Sequence, residues 1–159
     1  MQIGLIYYSY SGHTAQVMTQ LENQLNQAGQ EVSKLALEPR EPLQLSALSA
    51  ALKTQPVIDK YDRLILGSPV HGGRMSAPMR TFLEKSETLE GKPVAFLLTH
   101  FFPRKWGAVQ TIAAMEALCQ EKGAQVLGHA DVTWLSLGRR KQIHESIDEL
   151  ATLITIKIL

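Results

Sequence analysis

The sequence predicts an α/β protein with a parallel sheet covered by helices on both faces. Short apolar runs typical of strands alternate along the chain with longer segments of helical periodicity. The run 63–67 is apolar along most of its length, which is typical of a central parallel strand with both faces buried. Parallel strands joined by helices form right-handed crossovers, so we expect a doubly wound, three-layer sandwich.

The predicted elements follow in regular order. Strands are expected over 2–8, 31–35, 63–67, 94–98 and 125–134. Helices are expected over 13–28, from Pro78 to about Glu87, and over 108–122 and 141–157. The second strand alternates polar and apolar residues, so we place it at a sheet edge. Three prolines interrupt the segment 36–60, where a short helix is predicted at Leu45–Leu52.

Length and composition restrict the class of protein. A chain of 159 residues predicts one domain, residues 1–159, with a real core. The net charge of +1 predicts no strong general attraction to nucleic acid or membrane. The single cysteine, Cys119, forms no internal disulfide, and no signal peptide is visible, so we expect a cytoplasmic protein. No histidine pair has metal-ligand spacing, and no metal is expected.

An anion site is predicted where the first strand meets the first helix. Residues 9–14 are Ser-Tyr-Ser-Gly-His-Thr, directly after an apolar run. Unpaired N–H groups and the helix dipole favour an anion at a helix start, and Gly12 allows close approach of the backbone. A simple helix cap is the alternative interpretation, since Ser and Thr favour helix starts whatever they bind.

Three loops are expected at the same sheet edge, because each follows a parallel strand. They span 9–14, 68–77 and 99–107, and none contains Asp or Glu. Their charged side chains are Arg74, Arg104 and Lys105, and rings at His71, Phe101, Phe102 and Trp106 accompany them. Such loops suit a flat aromatic ligand with an anionic tail.

At these residues the chain resembles the flavodoxin-like FMN-binding family, which includes flavodoxins and NAD(P)H:quinone oxidoreductases. The matching motifs are Ser9-x-Ser11-Gly12-x-Thr14, Tyr61-Asp62-x-Leu64-Ile65-Leu66-Gly67-Ser68-Pro69-Val70 and Ala77-Pro78-Met79. The resemblance covers nearly the whole chain. It implies a five-stranded parallel sheet in the order 2-1-3-4-5, with FMN at the switch point between the first and third strands.

The resemblance also implies which residues bind FMN. The phosphate would be held by Ser9, Ser11, Gly12, His13 and Thr14. One face and edge of the isoalloxazine ring would be lined by Pro69, Val70, His71 and Gly72. The other side would be lined by Thr99, His100, Phe101 and Gly107. Ser68 is expected to fix the second loop. No catalytic side chain is required, because the flavin carries the chemistry.

Departures from the family pattern bear on function. Electron-carrying flavodoxins commonly have Asn where this chain has His13, and a Gly-His pair is more similar to quinone oxidoreductases of the tryptophan-repressor-binding-protein type, although the chain is short for their insertion. Flavodoxins proper also have acidic side chains near the ring, which these loops lack. Cations such as Arg74 or Arg104 favour the reduced anionic flavin and raise its potential. We therefore expect an NAD(P)H-dependent oxidoreductase that passes electrons to a quinone or similar acceptor.

Two other functions stay open. One is a flavodoxin-type electron carrier that docks on redox proteins without a substrate of its own. The other is a module that has lost FMN, since the Pro103-Arg104-Lys105 loop is atypical. Expected partners are a small-molecule electron acceptor or a redox protein, and a homodimer is one way to cover the ring edge.

Residues outside the loops have more ordinary interpretations. Cys119 is expected to serve packing, and Tyr7 and Trp134 to belong to the core. Residues 139–141 are Arg-Arg-Lys. They are interpreted either as a solvated cluster or as a site for a phosphate or a partner.

Overall fold

Strands and helices alternate along the chain in the computed structural model, which describes residues 1–158. The strands are β1 (Gln2–Tyr7), β2 (Glu31–Ala36), β3 (Arg63–His71), β4 (Arg74–Met75), β5 (Pro93–His100) and β6 (Gln125–Thr133). The helices are α1 (His13–Gln27), α2 (Ala77–Lys85), α3 (Ala108–Glu121) and α4 (Arg139–Thr155). The five predicted strands and four long helices are confirmed, although β3 runs on to His71.

The sheet has the order β2-β1-β3-β5-β6, and all of these strands are parallel to their neighbours. Counted in chain order without the short β4, this is the predicted order 2-1-3-4-5, and β2 lies at the expected edge. β4 is an addition to the prediction, and it pairs antiparallel with the end of β3. At the other edge, β6 contains a bulge at Leu127, because Val126 pairs with Val94 and Gly128 with Ala95.

Both faces of the central strands are buried, and alternate residues belong to different cores. Ile6, Leu66 and Phe96 lie in the core beneath α2 and α3, whereas Leu5 and Leu97 lie in the core beneath α1 and α4. All five side chains are fully buried. Period-two alternation thus generates the three-layer sandwich that the sequence predicts.

The connection between β2 and β3 differs from the prediction. The helix expected at Leu45–Leu52 is wrong, because these residues form no helix. A single antiparallel bridge joins Pro39 to Leu52, and Leu52 and Ile58 are buried against the core as anchors. Since prolines interrupt the segment, tertiary packing of a few apolar side chains replaces a helical hydrogen-bond ladder.

A small residue sets how closely α1 approaches the sheet. Gly67 lies in β3 beneath Met18, and a Cβ at Gly67 would overlap the Met18 methyl group. This close approach brings the start of α1 next to the ends of β1 and β3. Among the helices that the structure describes, none has the length and apolar character needed to cross a membrane.

The two-sided burial of the sheet gives the first prediction. Phe96 is fully buried in the centre of β5, so Phe96→Ala should lower the free energy of unfolding by about 3–5 kcal/mol. Val57→Ala is the control, because Val57 is 74% exposed. This control should change stability by no more than about 0.5 kcal/mol. Urea unfolding followed by circular dichroism measures both, and equal effects would contradict the proposed core.

Candidate functional site

Four loops meet at the carboxyl edge of the sheet, after β1, β3, β5 and β6. Contacts between rings join three of them. The His13 ring lies 3.9 Å from the Trp134 ring and 5.3 Å from the Phe101 ring, measured between centroids. In sheets of this order, ligands bind in the crevice where the chain switches direction, here between β1 and β3. The candidate site is therefore the crevice beside the first loop.

The first loop forms a cradle of backbone donors. Gly12 has a φ of +89° and directly precedes α1. The Ser9 hydroxyl accepts a hydrogen bond from the Ala15 N–H at 3.1 Å, which closes the loop on the helix. The N–H groups of residues 11–14 donate to no acceptor within residues 1–158. Four unpaired donors at a helix start are a suitable site for an anion.

The hydroxyls of Thr14 and Thr99 lie beneath this cradle. They are hydrogen-bonded to each other at 2.9 Å, and the two residues are 1% and 3% exposed. The pair links the first turn of α1 to β5. Both residues are among the predicted ligand contacts, and the structure brings them together, with each hydroxyl facing the other.

His13 forms a wall of the first loop. Its ring is stacked on Trp134 with an angle of 13° between the planes, and its Nδ1 lies 3.1 Å from the Ser11 hydroxyl oxygen. Burial lowers the pKa of His13, and the nearby Arg139 lowers it further. A neutral imidazole results near pH 7, so His13 adds a ring surface and a hydrogen-bonding group rather than a charge.

The fourth loop, residues 134–138 between β6 and α4, is a part of the site that sequence reasoning missed. Trp134 is buried, which confirms its predicted core position, but its ring also supports His13. The Arg139 guanidinium carbon lies 5.0 Å from the Trp134 ring centroid, and Arg139 Nη1 donates to the Trp134 carbonyl at 3.0 Å. The first residue of the basic cluster 139–141 is thus held against the site.

The second loop is a tight hairpin rather than an irregular loop. Val70 pairs with Met75 and His71 with Arg74, and the two-residue turn is Gly72-Gly73. Both glycines have positive φ values, 55° and 77°, as this type of hairpin turn requires. In the sequence, the Gly72-Gly73 dipeptide is the signal from which this hairpin could have been predicted.

Hydroxyl groups and rings hold the second loop in position. The Ser68 hydroxyl accepts from the Ser76 N–H at 2.9 Å, which confirms its predicted role in fixing the loop. The His71 ring meets Tyr8 and Tyr10 edge to face, with centroids 6.3 Å and 5.6 Å away. Burial lowers the pKa of His71 and, together with the neighbouring Tyr10, raises that of Tyr8. Pro69, Val70 and His71 are half-buried, and Gly72 is exposed at the tip.

A carboxylate absent from the loops reaches the site from β6. Asp131 Oδ2 accepts from His100 Nε2 at 2.7 Å, and Asp131 Oδ1 pairs with Arg104 Nε at 2.9 Å. His100 Nδ1 lies 2.5 Å from the Phe102 carbonyl oxygen, so both ring nitrogens face acceptors. The predicted contact residue His100 is therefore turned into the base of the third loop. The cationic third loop is thus paired with Asp131, a carboxylate that lies outside the loop sequences and is not apparent from them.

Backbone contact joins the second and third loops. Gly107 has a φ of +118°, and a Cβ there would lie 2.5 Å from the Cα of Gly73. The Thr111 hydroxyl donates to the Gly107 carbonyl at 2.7 Å, which fixes the start of α3. Gly107, predicted to line a ligand, lies at this contact between loops, while Phe101 is 44% exposed above it.

Comparison with known proteins identifies this arrangement. The sequence profile of the flavodoxin domain matches residues 4–146, which is most of the chain. The chain belongs to the flavodoxin family. No match was found among curated protein sequences.

Solved flavodoxin structures have the same fold. Oxidised flavodoxin 1 from Bacillus cereus is 19% identical, with a TM-score of 0.68 over 96% of this chain and 97% of that chain. The Streptococcus pneumonia TIGR4 flavodoxin is 16% identical, with a TM-score of 0.72 over 99% and 100%. The flavodoxin, WrbA-like protein from Agrobacterium tumefaciens is 14% identical, with a TM-score of 0.67 over 96% of both chains. At these identities the likeness concerns the fold.

Membership of the flavodoxin family implies FMN as cofactor, and the residues present fit both ends of that molecule. At the phosphate end, the amides of residues 11–14 are unpaired within residues 1–158, and a Cβ on Gly12 would meet none of their atoms within 4 Å, so the loop backbone borders open space at Gly12. At the ring end, His71 and Phe101 offer aromatic surfaces on two different loops. Donors for an anion and flat apolar walls are the two features that FMN requires.

The contact between Gly107 and Gly73 predicts that alanine destabilises the protein more at Gly107 than at Gly91. Gly107→Ala and Gly91→Ala both place a side chain at positive φ, but only the first meets backbone. We expect Gly107→Ala to cost about 1–3 kcal/mol more in unfolding free energy than Gly91→Ala. Urea midpoints test this, and equal midpoints would show that the loops separate freely.

Burial of His71 predicts a loss of stability in acid. Its folded-state pKa lies below the ordinary value of 6.5, so the unfolded chain binds more protons as the pH falls through 6.5. The free energy of unfolding should therefore fall from that pH down to the folded-state pKa. His71→Phe keeps a ring beside Tyr10 and should make this slope shallower, leaving the contribution of His13.

Urea midpoints at about pH 8 and about pH 5 measure the slope in the wild type and in His71→Phe. An unchanged slope in the variant would mean that His71 takes up a proton in the folded protein as readily as in the unfolded chain.

Proposed function

We propose that the protein binds FMN and acts as an NAD(P)H-dependent oxidoreductase that passes electrons to a quinone or similar acceptor. When bound, FMN supplies hydride acceptance from the nicotinamide and release of two electrons to the acceptor. The observation that carries the proposal is the charge around the site. The second and third loops supply Arg74, Arg104 and Lys105, α4 begins with Arg139, and the carboxylate of Asp131 is already paired with Arg104 and His100.

Two sets of residues hold the cofactor in this proposal. The phosphate is held by the amides of the first loop and by Ser9, Ser11, Gly12, His13 and Thr14, and Ser11 is the most exposed of the three hydroxyl residues. The ring is held between the second-loop residues Pro69, Val70, His71 and Gly72 and the third-loop residues Thr99, His100, Phe101 and Gly107. Within the second set, Thr99 and His100 act from beneath, through Thr14 and Asp131.

Unpaired cations support a two-electron reaction. Asp131 offsets Arg104, but Arg74 is exposed and belongs to none of the ion pairs found among residues 1–158. A positive side chain near the reduced ring stabilises negative charge on it and raises the potential. Arg74 and Lys105 are also exposed at the site edge, where they suit the phosphates of a nicotinamide cofactor.

A flavodoxin-type electron carrier is the second candidate. Phe101, Phe102 and Trp106 are 44%, 59% and 61% exposed beside the site, and apolar side chains at a ring edge suit transient docking of a redox protein. A module that has lost FMN is the third candidate, and FMN binding alone tests it.

Anaerobic titration distinguishes these functions. FMN is added to the purified protein while flavin fluorescence is followed, and NADH or NADPH is then added with and without a soluble quinone. Rapid bleaching, followed by reoxidation on quinone addition, is the expected result. Tight binding with slow bleaching and two resolved one-electron potentials would establish the carrier instead. Unquenched fluorescence would leave only the module.

The first-loop cradle predicts the effect of one charge. Ser11→Asp places a carboxylate where the phosphate is expected, and repulsion over a few ångströms should weaken FMN binding by roughly a hundredfold or more. Ser49→Asp makes the same change at an exposed serine between β2 and β3 and should leave affinity unaltered. Fluorescence titration measures both, and wild-type affinity in Ser11→Asp would reject the phosphate assignment.

We also propose a cytoplasmic location. Cys119 is fully buried, and burial, together with Glu116, raises the pKa of its thiol to about 12. A protein with one inert thiol has no need of an oxidising compartment.

A further inference from the structure

Exposed apolar side chains are concentrated around the mouth of the candidate site. We call this set the apolar rim, and it consists of Phe101, Phe102, Trp106, Val109, Leu135 and Leu137. Each is more than two-fifths exposed, and Leu137 is 109% exposed, so its side chain stands free of the remaining protein. Single exposed apolar residues are ordinary, but a cluster of them marks an interaction surface.

Contacts through His13 and Asp131 connect the two loops that carry most of the rim. His13 contacts Phe101 on one side and Trp134 on the other, so the third and fourth loops flank a single ring. The ion pair between Arg104 and Asp131 ties the third loop to β6, whose end leads into the fourth loop. Phe102 and Trp106 lie 5.8 Å apart between ring centroids, at the tip of the third loop.

Cations are interleaved with the rim. The sequences 101–115 and 134–144 contain Arg104, Lys105, Arg139, Arg140 and Lys141, and neither contains Asp or Glu. Asp131 pairs with Arg104, and a Glu145 carboxylate oxygen lies 3.7 Å from Lys141 Nζ. Within residues 1–158, Lys105, Arg139 and Arg140 belong to no ion pair. The net charge of the whole chain is +1, so this edge concentrates positive charge that the overall balance conceals.

Besides Asp131, two carboxylates on the same sheet edge lie at its other end. Glu38 and Glu41 follow β2, which is separated from β5 by β1 and β3. Strands are spaced by about 4.8 Å, so roughly 14 Å separates β2 from β5. The rim therefore presents an apolar surface on which cations outnumber the carboxylates Asp131 and Glu145, while Glu38 and Glu41 lie at the far end of the edge.

We propose that the apolar rim docks on an anionic lipid surface. Exposed Trp and Phe beside Lys and Arg are the side chains that enter the headgroup layer and pair with lipid phosphates. Five of the rim residues lie on the third and fourth loops, and Val109 lies in the first turn of α3. Side chains carried on loops suit insertion between headgroups better than the close packing of a protein interface. The low net charge led us to expect no general membrane attraction, but the local distribution supplies one.

Such docking has a consequence for the proposed function. The rim flanks the candidate site on the side of the third and fourth loops, so docking turns this side of the site toward the bilayer, where a lipophilic quinone is concentrated. This consequence rests on the proposed oxidoreductase function. Docking itself does not, because it requires only the side chains of the rim and its cations.

Vesicle binding tests the proposal on the full chain, with and without FMN. The protein is mixed with vesicles of phosphatidylcholine alone or with added phosphatidylglycerol, and the bound fraction is measured by flotation. Trp106 emission is recorded in parallel. The chain has two tryptophans, and Trp134 is 7% exposed, so a blue shift on binding should come from Trp106 and disappear in Trp106→Phe.

Charge and apolar variants have matched controls. Lys105→Glu should weaken partitioning at least about fivefold, which is the effect of losing one cation near an anionic surface. Lys85→Glu makes the same change at the end of α2 and should alter partitioning much less. The double variant Phe102→Ser and Trp106→Ser should abolish binding, whereas Val57→Ser, at a side chain 74% exposed elsewhere, should leave it intact. Far-UV circular dichroism checks that each variant is folded.

Three results would overturn the proposal. They are an absence of binding to anionic vesicles, binding that all rim variants retain, and a dimer in sedimentation that rim variants convert to monomer without any vesicle binding. The last result would assign the rim to a second copy of the chain. None of them bears on NAD(P)H oxidation in solution, so failure of docking and failure of the redox function are separate outcomes.

Discussion

Burial of both faces of β1, β3 and β5 is the constraint on which the rest of the structure depends. Since each of these strands has apolar side chains in both cores, helices must cover the sheet on two sides. Parallel pairing then follows, and it places the ends of β1, β3, β5 and β6 at one edge. The candidate site is a product of this topology, because residues from distant parts of the sequence meet only at that edge.

Separate physical contacts hold the loops at the edge against each other. A hydroxyl pair, Thr14 with Thr99, ties α1 to β5 beneath the first loop. Backbone contact between Gly73 and Gly107 fixes the second loop against the third. A carboxylate, Asp131, holds the third loop from the neighbouring strand. Each is a contact between different segments, so the shape of the crevice depends on the whole sheet.

Local patterns in the sequence predicted the fold well. Period-two strands, helical stripes and stop signals such as Gly29 and Gly123 are local, and they located the strands and long helices. The Leu45–Leu52 helix failed because that segment is held by the burial of Leu52 and Ile58 against the core, a distant interaction that periodicity does not contain. The hairpin between β3 and β4 could have been predicted, because Gly72-Gly73 is a turn signal.

The candidate site was predictable only in part. First-loop residues and the cationic character of the loops were visible because they are contiguous in sequence. Asp131 and Trp134 were not assigned to the site, since they lie in β6 and just beyond it, and reach the other loops only through strand pairing. Their effect on charge and shape is therefore a tertiary property. The finding that His100 faces Asp131 rather than open space has the same origin.

The bulge in β6 has a consequence for assembly. An edge strand presents unpaired N–H and C=O groups to which the strand of another molecule can add. At Leu127 the extra residue breaks the regular spacing of those groups, and Gly128 has a φ of 151° at the same place. A second sheet cannot continue this one in register past that point. The β6 edge is thereby protected from strand-by-strand growth.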